Sequence, residues 1–210
     1  MTAWTHVSAG AFLIAVTGCA QAAPPAAPAA VLRSGQYEGL VLGVDASGRV
    51  TGSFDMEQGE GVTKTCAFTF TGRAQGGTAA IRAVGQPRRG SPVLTGRLGT
   101  SADGVVLRLP GARDLPGCGL VIPPSVEEAE GLELSGTGPG TWTDLAEIRA
   151  PRAALRAAPG APAGRAYVVR GDVVGVLERR GAQARVVFPS DRVPPSQGWV
   201  HAAELAPLAP

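Results

Sequence analysis

The chain has 210 residues, 44% of them hydrophobic, and a formal net charge of +2, enough for one medium domain or two small ones and better suited to two. Thirty glycines and eighteen prolines against 5% aromatic residues point to many short elements joined by turns, which puts an all-β fold ahead of a helical one. The arginines are scattered and Lys64 is the only lysine, so there is no basic stripe interleaved with aromatics, and nucleic acid is excluded as a partner. The bias toward arginine accompanies abundant alanine, glycine and proline and reads as coding bias without chemical content.

In chain order, the first 32 residues carry no Asp, Glu, Lys or Arg, and Val7 to Val16 forms an apolar run too short for a stable membrane span. This is the pattern of an export signal. It ends in Val16-Thr17-Gly18-Cys19, which resembles a bacterial lipobox. That resemblance implies acylation of Cys19 as the new N-terminus and a lipid anchor in the membrane. Ala20-Gln21-Ala22 also satisfies the small-x-small cleavage rule, and cleavage there would give a freely secreted protein. Residues 1–19 are therefore assigned to a signal and 20–34 to an alanine- and proline-rich tether. The expected location is the periplasm or, through the lipid, the outer membrane.

Residues 35–138 alternate short apolar runs with turn residues. Tyr37 to Val44, Arg49 to Phe54, Thr65 to Thr71, Ala79 to Val84, Val93 to Leu98, Val105 to Leu109 and Leu132 to Leu134 read as strands of an antiparallel meander, either a barrel or a sandwich. Asp45-Ala46-Ser47-Gly48 reads as a hairpin turn, and the two-residue period puts Cys66, Phe68 and Phe70 on one face. Pro110 to Pro124 is too rich in Gly and Pro for a strand and reads as a long loop. Cys19 is either lipidated or removed, which leaves Cys66 and Cys118. Two thiols in an oxidising compartment usually pair, and a disulfide here would pin that loop. The alternative, a nucleophilic cysteine, lacks a histidine in its own domain: His6 lies in the signal and His201 in the last domain.

The segment 148–208 begins after a break at Gly136 to Gly140, with Trp142 a candidate contact between domains. Leu155-Arg156 with Ala157-Ala158-Pro159, then Arg170-Gly171-Asp172 followed by Val174 and Val176, and finally Gly198-Trp199-Val200 with Leu205 resemble the bacterial Src-homology-3-like (SH3b) family. The family's usual tryptophan ahead of Val186 is Gln183 here, and the loop Pro189 to Gln197 is long. The resemblance implies a small β-barrel binding module and, from what some members bind, contact with peptidoglycan or its peptides. Short Val-, Tyr-, Phe- and Trp-rich strands with glycine at turns suit such a barrel independently. Tyr167, Phe188 and Trp199 are the candidate binding residues, although Trp199 reads first as a packing residue and second as a half-exposed platform.

For catalysis the sequence offers little. Asp55, Glu57 and Glu60, with Asp45 across the hairpin, form the densest acidic cluster; it reads as a solvated tip, with Ca²⁺ binding or acid and base chemistry as the alternative. Glu127, Glu128 and Glu130 read as a second solvated turn. No Gly-x-Ser-x-Gly elbow, His-Glu-x-x-His or phosphate loop occurs. The expectation is thus no catalytic residue, no metal site and no cofactor. The expected role is an exported envelope protein that binds or scaffolds, with peptidoglycan or a wall-associated protein as partner. Two alternatives stand beside it. One is an inhibitor or partner of an envelope enzyme that presents loops such as Arg113 to Pro123, by analogy of architecture with small lipidated β-barrel inhibitors; the other is a hydrolase using Asp45, Asp55 and Glu57.

Overall fold

The structure is a computed structural model that describes residues 1, 30–86, 90–190 and 195–208. The signal, Cys19 and residues 20–29 of the tether lie outside the described residues. The fold is all-β. Eight antiparallel strands close a barrel: β1 (Gly35–Tyr37), β2 (Leu40–Val44), β3 (Arg49–Gln58), β4 (Lys64–Gln75), β5 (Thr78–Gly85), β6 (Val93–Thr100), β7 (Gly104–Arg108) and β8 (Leu132–Pro139). Each strand pairs with the next, and β8 returns to pair with β1, so the meander is a barrel and not a sandwich. The run Tyr37 to Val44, expected as one strand, is two. Gly39 takes φ 68°, a left-handed conformation that glycine adopts without strain, and its carbonyl accepts from Asp55 N at 2.8 Å.

The period of two decides what fills the barrel. Leu40 and Leu42 of β2, Val50 and Phe54 of β3, and Cys66, Phe68 and Phe70 of β4 all point inward and are fully buried. The rings of Phe54 and Phe68 stack with centroids 4.7 Å apart. Gly52 makes room for this packing, because a Cβ there would stand 2.0 Å from Phe70 Cζ. Side chains thus fill the interior around Phe54, Phe68 and Phe70, as in other small barrels.

The segment between β7 and β8 is a plug made of three 3-10 turns, Ala112–Asp114, Cys118–Leu120 and Pro124–Glu127. It buries Leu115, Cys118, Val121, Ile122 and Val126 in the barrel core. Cys118 is bonded to Cys66 of β4, so the expected disulfide is present and pins this segment to the wall.

A second unit follows. The strands β9 (Asp144–Ile148), β12 (Val173–Arg180), β13 (Gln183–Val187), β14 (Gln197–His201) and β15 (Leu205–Pro207) form one sheet in the order β14-β13-β12-β9-β15. Its first strand starts at Asp144, ahead of residue 148. A two-stranded sheet of β10 (Arg152–Ala154) and β11 (Tyr167–Val169) is tied on by a bridge in which Arg156 and Trp199 exchange backbone hydrogen bonds of 3.0 and 2.8 Å. Between the two sheets lies a core of Ile148, Ala153, Leu155, Val168, Val174, Val186, Val200 and others. At the turn before β12, Gly171 takes φ 91° and Asp172 Oδ2 accepts from Val169 N at 2.8 Å.

The two units are packed together. Trp142 Nε1–H donates to Leu42 O at 2.8 Å, and Leu145 N–H donates to Thr51 Oγ1 at 2.9 Å. Trp142, Leu145, Val187 and Leu208 form a third apolar cluster against Val41, Val173 and Leu177. Gly175 lets the indole lie on β12, since a Cβ there would meet Trp142 at 2.7 Å. Asp144 lies 3.7 Å from Arg49 of the barrel and 3.6 Å from Arg179 of the second sheet, an ion pair bridging both units at the rim.

Candidate functional site

A cleft of ≈ 780 Å³ lies between the two units. The outward-facing residues of β3 and β4, Ser53, Asp55, Ala67 and Thr69, form one wall, and Glu147, Asp172, Val173 and Phe188 form the other. This arrangement follows from strand alternation: where Phe54 and Phe68 face the barrel core, Asp55 and Thr69 must face outward. Glu38 and Tyr37 line it as well. Among the described residues the cleft is lined by four acidic side chains, those of Glu38, Asp55, Glu147 and Asp172, along with hydroxyl-bearing residues. Partial burial, followed by the nearby charge of Glu57, pushes the Asp55 carboxyl above its ordinary value. Burial likewise raises the Tyr37 phenol, against the opposing pull of Arg33, and its hydroxyl donates to Arg33 O at 3.0 Å.

The three expected binding aromatics do not form one groove. Phe188 lines the cleft and packs on the core of the second unit. Tyr167 is 49% exposed on β11, with the Arg152 guanidinium 3.7 Å from its ring centroid. Trp199 is only 6% exposed, but it is not in the core of its unit. Its neighbour Val200 is, and alternation places Trp199 on the opposite face of β14. There the Arg180 guanidinium lies 5.3 Å from the ring.

The acidic trio considered for catalysis is also split. Asp45 builds the β2–β3 turn, accepting from Ser47 N at 2.8 Å, Ser47 Oγ at 2.7 Å and Arg49 N at 2.9 Å. These hydrogen bonds, with that from the Ser47 side chain first, hold its carboxyl below the ordinary value. Asp55 lies six residues beyond Arg49 on the same strand, about 20 Å away at the usual rise. Glu57 accepts from Thr65 Oγ1 at 3.3 Å. Among the described residues no three His, Cys, Asp or Glu side chains gather as a metal-binding group.

Sequence reasoning missed one grouping altogether. The register of β13 and β14 sets Arg185 opposite Trp199, and the bridge sets Arg156 on its other side. With Arg180 over the ring, strand pairing brings three arginines that look scattered along the chain next to one tryptophan position. The signal was present only as pairing: Arg180, Gln183 and Arg185 show nothing until β13 is laid against β12 and β14.

Compared with protein-family models, curated proteins and solved structures, the chain matches none.

Proposed function

We propose that this is an exported cell-envelope protein that binds or scaffolds rather than catalyses, with an SH3-like C-terminal unit and a partner in the peptidoglycan layer. The observation that carries the reading is the cleft lined by both units and held by Trp142, Leu145 and the Arg49, Asp144 and Arg179 ion pairs. A concave site at a packed interface, with a few polar groups from each side, is where ligands are usually taken. The barrel interior is filled by side chains, which leaves the outside of the molecule to do the binding. The SH3-like assignment is supported by two orthodox features of a small barrel: two sheets enclosing one core and a 3-10 turn, Ala202–Glu204, leading into the last strand. Export and acylation at Cys19 rest on the apolar run and lipobox-like residues of the sequence. The full-length protein incubated with purified, insoluble peptidoglycan should sediment with it; recovery of all the protein in the supernatant removes the wall-binding role. Mass spectrometry of protein from the envelope fraction should find acyl groups on Cys19, and a peptide beginning after Ala22 instead would replace the anchored form with a secreted one.

A second reading, an inhibitor of an envelope hydrolase, is favoured by a specific feature. Leu120 is 70% exposed in the plug, in the same 3-10 turn as the disulfide-bonded Cys118. Absence of any effect of the protein on muramidase activity would dismiss it.

A further inference from the structure

The outer face of the second sheet is divided into two halves. Along β13, residues 185 and 187 share that face by alternation. Val187 and its cross-strand partner Gly175 lie under Trp142, where the barrel covers them. One step along, the barrel no longer covers the sheet. There the cross-strand row Glu178, Arg185, Trp199 and Arg156 stands beside a second row of Arg180, Gln183 and His201.

Three features of this half-face are unusual for a mere solvated surface. Trp199 is in none of the three apolar clusters, yet it is nearly fully covered. Arginine stems and a stacked guanidinium are suited to provide such cover, since they lie along apolar surface while keeping their charge in water. Secondly, two of the three arginine charges have no ion-pair partner among the described residues. Arg156 donates to Ala154 O and Arg185 to Gln197 Oε1, both neutral acceptors. Thirdly, Arg180 is held by the Glu178 carboxylate while lying over the indole, so the site already seats one carboxylate of its own.

We propose that this face, Arg156, Arg180, Arg185 and Trp199, binds a carboxylate presented by an anionic wall glycopeptide, with Glu178 occupying part of the place when the site is empty. The inference rests on the wall-binding reading and adds to the cleft a second surface and the chemical group it takes. The fork of a guanidinium pairs well with a carboxylate, and the covered indole beneath gives the Arg180 guanidinium a fixed seat. The Glu178 contact is largely exposed, so exchanging it for an external carboxylate costs little.

The test is a calorimetric titration of the full-length protein with soluble peptidoglycan fragments bearing free carboxylates, and with the same fragments after conversion of those carboxylates to neutral amides. The amidated fragments should bind about tenfold more weakly or worse, and so should the free fragments to the triple variant R156Q/R180Q/R185Q. Glu178→Gln should act the other way, raising affinity about twofold to fivefold by freeing Arg180. That gain stands as a test even if the triple variant fails to fold. Equal affinity for the amidated fragments, or no gain in Glu178→Gln, overturns the proposal; displacement of the fragments by inorganic phosphate at low concentration overturns the choice of carboxylate. If the wild type and triple variant bind fragments equally, this face is excluded while wall binding survives. If the wild type binds no fragment and does not sediment with peptidoglycan, both fall.

Discussion

Trp142 is the residue on which the relation between the two units turns. Its Nε1–H satisfies the buried Leu42 carbonyl, and its ring fills the space above Gly175. Trp142→Phe keeps most of the packing but removes that hydrogen bond between the units, and denaturant unfolding should show a loss of about 0.5–1.5 kcal/mol. Trp142→Ala should cost about 3–5 kcal/mol, because a cavity is added to the lost contacts. Two aspartates give opposite pH signatures. Asp45 is held below the ordinary value of 3.8 by its turn; its contribution is present above 3.8 and lost as pH falls through the folded-state value. Asp55 is raised above 3.8, so its ionisation weakens the fold as pH rises through that window. Asp55→Asn should therefore unfold at higher denaturant than wild type at neutral pH and at the same denaturant below 3.8. Asp45→Asn should be weaker than wild type at neutral pH and converge with it in acid.

Among the elements, the plug depends most on covalent chemistry. Its three 3-10 turns make few ladder hydrogen bonds and are held by buried Leu115, Val121, Ile122 and Val126 and by the disulfide. With Cys66 and Cys118 separated by 52 positions in sequence, the chain-entropy model gives about 4 kcal/mol for the closed loop. Reduction should lower the unfolding midpoint accordingly, together with a two-dalton gain in mass, and equal stability with and without reductant would count against a structural role. At the start of β3, Gly52→Ala should be costly for its size, because the new methyl displaces the Phe70 ring; overpacking of this kind typically costs about 1–3 kcal/mol. Much of this level was readable in the sequence. The alternation of Cys66, Phe68 and Phe70, the Asp45 to Gly48 turn and the absence of a strand in Pro110 to Pro124 all follow from local periodicity and turn chemistry. The split at Glu38 and Gly39 was not, because a single glycine in an apolar run does not say whether it bends the chain. Burial of the plug was also hidden, since Leu115, Val121 and Ile122 have no period to mark them as core.

For the whole molecule, the choice of barrel over sandwich depended on β8 meeting β1, a contact between the ends of the meander that no short window of sequence contains. The candidate surfaces are long-range in the same sense. The cleft takes its residues from both units, and the arginine and indole face needs the register of three strands. Sequence reading therefore names Trp199 and Phe188 as candidates but cannot show that they lie apart, and it reads as scattered the arginines that strand pairing brings beside Trp199. The shared interface also predicts that the two units unfold together in one transition in the wild type, with Trp142→Ala separating them into two. The measurement that bears most directly on function is incubation of the full-length protein with purified peptidoglycan, followed by sedimentation and chromatography of the muropeptides released on subsequent digestion. Retention in the pellet with an unchanged muropeptide profile is the predicted result; a protein left wholly in the supernatant, or one that alters the profile by cutting the polymer, contradicts a wall-binding protein without catalytic activity.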